Sequence, residues 1–212
     1  MSAMQPPDNY AMLSVTKLSC VRGERFLFTG IDFKVEAGEW LHVRGANGCG
    51  KTSMLRLLAG LSQPVHGEIR WCGNLTGPDT QAYRADLLFL GHHAAVKEEL
   101  TALENLQLAS ELDGCGLPRP EALAALQRLG LKGREDQPVR FLSAGQKRRV
   151  LLARLVTRKA KLWLLDEPFT SLDTRAVEML GTLIGEHLDH GGMAVITSHQ
   201  AVQIAGGKAI DL

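Results

Sequence analysis

Residues Gly45-Ala46-Asn47-Gly48-Cys49-Gly50-Lys51-Thr52 fit the pattern G-x-x-x-x-G-K-[ST], and few runs of this length restrict a fold so strongly. The run follows the alternating apolar residues Leu41 and Val43, which predict a strand. It precedes Met54, Leu57, Leu58 and Leu61, whose helical spacing predicts one buried face. Glycines at positions 45, 48 and 50 let the backbone turn so tightly that successive N–H groups point at phosphate oxygens. The helix start adds its positive dipole end. Lys51 is placed to neutralise the β- and γ-phosphates, and the Thr52 hydroxyl to ligate Mg²⁺. An incidental glycine-rich turn with a lysine would need neither the strand before it nor the helix after it.

The rest of the chain reads as alternating strands and helices. Met12 to Val43 is β-rich, with Phe26/Phe28 and Ile31/Phe33/Val35 alternating between Gly23, Gly30 and Gly38. Residues 92–145 read as mostly helical. Thr101-Ala-Leu-Glu104 is a capping box, and Pro120–Leu129 is a helix with Gly130 just past its end. Leu162–Leu165 and Ala194–Thr197 are short apolar strands. Between them Asp173 caps a helix that buries Val177, Leu180, Ile184 and Leu188. This order predicts an α/β fold, a mainly parallel sheet with an N-terminal antiparallel portion and an inserted helical subdomain. The expected organisation is a flexible tail at 1–11 and one domain at 12–212, with a core of 12–91 and 146–212 around a helical subdomain at 92–145.

Composition removes several function classes. The 212 residues carry a net charge of +1, which argues against a broad basic surface for nucleic acid. No apolar run approaches the roughly 18 residues that span a bilayer. The start, with Pro6 and Pro7, does not read as a secretory signal. The four cysteines form no C-x-x-C pair, so a thiol metal site is not indicated and a reducing compartment is the simplest expectation. No N-K-x-D tetrapeptide points to guanine.

Two further stretches bear on the phosphate loop. Leu162-Trp-Leu-Leu-Asp166-Glu167 is an apolar strand ending in two acids, at the carboxyl edge where open α/β sheets bind ligands. Asp166 is expected to hold Mg²⁺, in part through water, with Glu167 orienting or deprotonating an attacking water. The alternative is that Asp166 caps the turn before Pro168. Leu142-Ser143-Ala144-Gly145-Gln146 opens a helix, where it makes either an anion site or a plain N-cap. The basic run Lys147-Arg148-Arg149 behind it reads as a solvated face.

Taken in order, the phosphate loop, L-S-A-G-Q, the apolar strand with Asp166-Glu167, Ser-Leu-Asp173 and Thr-Ser-His199 resemble the nucleotide-binding subunit of ATP-binding cassette (ABC) transporters. The likeness runs from about residue 13 to the end. It implies a P-loop NTPase of the ABC type, active as a head-to-tail homodimer with two ATP molecules between its copies. It implies that Lys51, Glu167 and His199 are catalytic and that His199 contacts the γ-phosphate. Ser143, Gly145 and Gln146 would meet the ATP held by the other copy, and Asp173 would connect the two sites. Mg²⁺ with ATP is the implied cofactor.

Three positions depart from the family pattern. Ala144 replaces a glycine. Arg22 stands where the family carries an aromatic that stacks on adenine; its guanidinium plane can stack there, and Phe26 is the substitute candidate. His93 stands where a glutamine touches Mg²⁺ and water and reports nucleotide state to the membrane subunit, so His93 is the candidate coupling-loop residue and a further candidate metal ligand. Neutral histidine can accept a hydrogen bond as glutamine does, and loses that capacity on protonation; the alternative places it on the loop surface.

Within the family, Phe89-Leu-Gly-His-His93, Leu100-Thr-Ala-Leu-Glu-Asn105-Leu and Leu142-Ser-Ala-Gly-Gln-Lys-Arg-Arg149-Val are similar to the ATP-binding subunit of the bacterial cytochrome c maturation system, also described as a haem exporter. That resemblance implies a peripheral protein on the cytoplasmic face of the inner membrane. Its partners would be a multi-helix permease of the CcmB type and further maturation proteins. ATP hydrolysis would drive haem export, or release of haem from a periplasmic chaperone, with no haem bound by this chain. Another ABC exporter, or a soluble ABC ATPase, is the competing expectation.

Overall fold

The computed structural model describes residues 12–77, 80–92, 95–199 and 204–212; the expected tail and His93 lie outside them. Two sheets face each other. An antiparallel sheet is built from β1 (Met12–Arg22), β2 (Arg25–Glu36), β4 (His66–Trp71) and β5 (Asn74–Leu75), in the order β2-β1-β4-β5. A parallel sheet is built from β3 (Trp40–Arg44), β6 (Leu87–Leu90), β7 (Leu162–Asp166), β8 (Met193–Thr197) and β9 (Gly207–Asp211), in the order β6-β7-β8-β3-β9. The helices are α1 (Lys51–Leu58), α2 (Gln81–Asp86), α3 (Ala102–Leu112), α4 (Arg119–Arg128), α5 (Ala144–Leu152), α6 (Arg154–Thr157) and α7 (Thr174–Asp189).

The parallel sheet is covered on both sides, as parallel strands require. Every residue of β7 and β8 is buried. Successive side chains alternate between two cores. Leu162 and Leu164 of β7, with Met193 and Val195 of β8, pack toward α1 and the antiparallel sheet. Trp163, Leu165, Ala194 and Ile196 pack toward α3 to α7 on the opposite side. An unbroken apolar strand such as Leu162-Trp-Leu-Leu therefore serves both layers at once.

Local chemistry sets the helix starts. Thr101 and Ser143 both form complete capping boxes, with Glu104 and Gln146 as their partners. Asp173 accepts from the Ala176 N–H at 2.8 Å and so begins α7. That helix buries Ala176 and Leu183 along with Leu180, Ile184 and Leu188, while Val177 is only half-buried. In β2, Phe28 is buried as the alternation predicts, but Phe26 is 55% exposed.

Where α7 returns to β8, the His187 ring lies face to face on Trp163, with centroids 3.8 Å apart. Gly192 makes room for it, since a Cβ there would come within 2.2 Å of the imidazole. Burial holds the His187 pKa below its ordinary 6.5, against the opposing hydrogen bond to the Met193 carbonyl. A base depressed in this way favours the folded state above its unfolded pKa, and that contribution is lost as pH falls through the folded value. The urea midpoint should therefore drop between about pH 7.5 and pH 5.5, and drop less in His187→Gln. Equal losses in the two proteins would show that His187 is not the group responsible.

Candidate active site

Strands β7, β8 and β3 are consecutive neighbours, so their carboxyl ends bring three chain segments to one edge. From β3 runs the loop of residues 45–50, from β7 the pair Asp166-Glu167, and from β8 the run Thr197-Ser198-His199. The loop needs its glycines. Gly45 has φ +143°, and a Cβ there would meet Cys49 Sγ at 2.5 Å. Gly50 has φ +116° and lies against Leu27 and Phe28 of β2. Gly50 brings no side-chain cap to α1, so the first N–H groups of that helix are left to a ligand or solvent. Lys51 is buried and turns back over the loop: its Nζ donates to Gly45 O at 2.8 Å and to Ala46 O at 3.2 Å, and lies 3.4 Å from His199 Nε2.

Asp166 is 1% exposed, and both of its carboxylate oxygens are engaged. Oδ1 accepts from Thr197 Oγ1 at 2.7 Å, and Oδ2 from Thr52 Oγ1 at 2.8 Å. Thr197 Oγ1 in turn accepts from the Glu167 N–H at 2.9 Å. Glu167 adopts φ +49°, a left-handed conformation that costs a non-glycine residue about 1–3 kcal/mol. Its Oε2 accepts from the His199 N–H at 3.2 Å. Its Oε1 is shielded from solvent, accepts no hydrogen bond among the described residues, and lies 3.3 Å from His199 Nε2. A carboxylate oxygen left in this state has spare capacity to accept a proton or a hydrogen bond.

These groups surround a cavity of about 460 Å³, within the range of small-molecule sites. Asn47, Gly48, Gly50, Lys51 and Thr52 line one side, and Asp166, Glu167, His199 and His92 another. Arg22, Arg25 and Leu27 form a third wall, to which Phe26 does not contribute. Gly45, Ala46 and Cys49 shape the loop from outside the lining. Thr197, Arg25 and Leu27 were not singled out by sequence. Thr197 ends a strand in the Thr-Ser-His199 run, but its link to Asp166 spans 31 residues.

Ser143, Gly145 and Gln146 do not join this cavity. Ser143 Oγ accepts from the Gln146 N–H, and the Gln146 side chain accepts from the Ser143 N–H, so both caps are spent within α5. Asp173 binds Arg149 at 2.9 Å as well as capping α7. The run 147–149 is not a solvated face. Lys147 pairs with Glu98, Arg149 with Asp173, and Arg148 is only 5% exposed. The i to i+1 rotation of the helix points the middle residue inward while its neighbours reach outward ion-pair partners.

Gly145 has a structural role inside its own chain, since a Cβ there would lie 2.7 Å from Ser171 O. Gly145→Ala should therefore lower stability by about 1–3 kcal/mol through overpacking, read as a lower urea midpoint without nucleotide. An unchanged midpoint would leave close packing against Ser171 without consequence.

The ABC transporter family profile matches residues 28–170. The cytochrome c biogenesis ATP-binding export protein CcmA of Dechloromonas aromatica (strain RCB) is 54% identical over 201 residues, which span 95% of this chain and 98% of that one. The CcmA protein of Escherichia coli O157:H7 is 46% identical over 197 residues, 93% of each chain. Among solved structures, a putative ABC transporter ATP-binding protein from Pyrococcus furiosus superposes with a TM-score of 0.82 at 24% identity, covering 95% of this chain and 97% of its own. A dimeric ATP-binding cassette bound to ADP and phosphate superposes with a TM-score of 0.76 at 24% identity, over 89% of this chain and 88% of its own. The chain is thus an ABC ATPase by fold and belongs to the CcmA family of ABC transporter ATP-binding proteins.

Proposed function

We propose that this chain is the ATP-hydrolysing subunit of an ABC transporter complex for cytochrome c biogenesis, powering haem export or the release of haem from a periplasmic chaperone. The observation that carries the ATPase reading is the linked set Thr52–Asp166–Thr197–Glu167–His199 beside the Lys51 loop. The cytochrome c assignment rests on family membership.

In this reading the loop N–H groups of residues 45–50 and the Lys51 ammonium hold the β- and γ-phosphates of ATP. Glu167 orients the attacking water and takes its proton on the carboxylate as the γ-phosphoryl group leaves ADP. His199 donates to the γ-phosphate and, through its backbone N–H, keeps Glu167 in place. Arg22 lays its guanidinium on the adenine, recognising a flat face more than a particular ring edge.

The residues suit Mg²⁺. Thr52 Oγ1 and Asp166 Oδ2 are hard oxygen donors 2.8 Å apart at the cavity. Among the described residues no cluster of three or more His, Cys, Asp or Glu could cage a metal alone. An ion that keeps its waters and shares the substrate's phosphates fits such a sparse protein donor set. When bound, Mg²⁺ would supply neutralisation of the substrate's phosphate charge. Thr52 would hold it directly, Asp166 in part through water, and His93 is a further proposed ligand and the coupling-loop residue.

Two copies would close head to tail, so that Ser143, Gly145 and Gln146 of one reach the ATP of the other and Asp173 links the sites. A dimeric cassette of the same fold supports a dimer, and the head-to-tail order is our reading. Among the described residues no helix is long and apolar enough to cross a membrane. On family membership we place the chain on the cytoplasmic face of the bacterial inner membrane, held there by a permease of the CcmB type.

Glu167→Gln should bind ATP and accumulate as a dimer while turnover falls by about 10²–10⁴-fold, the range of a lost general base. Ser143→Arg should bind ATP with little change yet remain monomeric by light scattering. Hydrolysis by Glu167→Gln at the unsubstituted rate would remove the catalytic assignment. Normal covalent haem on c-type cytochromes after gene deletion would remove the biogenesis assignment.

A further inference from the structure

Arg148 is a full positive charge placed in the interior, and among the described residues no carboxylate pairs with it directly. All three guanidinium nitrogens are used on backbone carbonyls. Nη2 donates to Asp166 O at 3.0 Å and to Glu167 O at 2.9 Å. Nη1 donates to Gly91 O at 3.1 Å and to His92 O at 3.3 Å, and Nε donates to Pro168 O at 3.4 Å. One side chain on α5 thereby grips the segment that carries Asp166-Glu167-Pro168 and the segment that leaves β6.

The contact to Glu167 has a specific consequence. At φ +49° the Glu167 peptide is strained, and something must hold it there. Its N–H donates to Thr197 Oγ1 at 2.9 Å and to Thr197 O at 3.2 Å, and its carbonyl accepts from Arg148 Nη2 at 2.9 Å and from the Thr170 N–H at 3.2 Å. These bonds fix the backbone before and after the Glu167 Cα, Arg148 being the only side chain of α5 among them, and the carboxylate is held within 3.3 Å of the His199 ring. A guanidinium suits this task because its planar fork reaches several carbonyls at once, whereas an ammonium is a single point donor. Burial opposes the charge, and the nearby Asp166 and Glu167 carboxylates support it.

We propose that Arg148 is a positioning residue for hydrolysis: it holds Glu167 in its left-handed conformation and couples that conformation to α5 and to the segment following β6. This rests on the ATPase reading above and adds a residue that works through Glu167 without touching the nucleotide. Loosening the carboxylate impairs attack by water and leaves phosphate binding by the Lys51 loop in place.

The test uses the full chain with Arg148→Met, Arg148→Lys and unsubstituted protein. Steady-state ATP hydrolysis, ATP affinity and the urea midpoint are measured for each. The expected result is a fall in kcat of about 10–100-fold in both variants, the scale of a small misplacement, with ATP affinity changed less than about threefold. The discriminating readout is a double-mutant cycle. In a Glu167→Ala background, with residual hydrolysis followed using labelled ATP, adding Arg148→Lys should change the rate less than about twofold, because its target is gone. An equal fold-loss in both backgrounds overturns the proposal and leaves a general structural role. Unchanged kcat in folded Arg148→Lys overturns it as well. Should Arg148→Met fail to fold, Arg148→Lys alone decides by the same criteria. Absence of turnover in the unsubstituted chain would overturn the ATPase reading itself, an outcome separate from the other two.

Discussion

The buried Asp166 carboxylate is where the two halves of the site are joined. Its oxygens accept one hydroxyl from α1, through Thr52, and one from β8, through Thr197. A carboxylate this deeply buried needs such donors, because an unpaired buried charge is strongly disfavoured. The same Thr197 hydroxyl receives the Glu167 N–H, so satisfying Asp166 also orients its neighbour. Strand order makes this available: β7, β8 and β3 lie side by side, and their carboxyl ends deliver an acid, a hydroxyl and a phosphate loop to one place.

Around this link the chain accepts local strain and buried charge together. Glu167 sits at positive φ and Arg148 carries a guanidinium into the core, each unfavourable alone. The hydrogen bonds from Arg148 to five carbonyls offset both. Close packing of Gly145 on Ser171 O brings the start of α5 against the segment that leads to Asp173. The L-S-A-G-Q stretch is therefore tied to its own chain by the Ser143–Gln146 capping box and by this contact, before any second copy is considered.

Much of this was legible in the order of residues. The phosphate loop was readable because its glycines, lysine and threonine answer to local geometry, and a strand and a helix flank it as that geometry demands. The strand Leu162–Asp166, the Thr101 capping box and the Asp173 cap were readable for the same reason, since periodicity and capping act within a few residues. The exposure of Phe26 was not readable, because alternation marks a face without saying whether another layer covers it.

Arg148 marks the boundary between the two kinds of information. In sequence it is the middle of three basic residues, a pattern that by composition belongs in solvent. Its burial depends on carbonyls from residues 91, 92 and 166–168, brought within reach only when the helical layer settles against the parallel sheet. Backbone carbonyls leave no trace in residue identity, so a clamp built from them is invisible along the chain. Residue identity sufficed for the chemistry that turns on neighbours in sequence, and long-range packing chose which charge went inside.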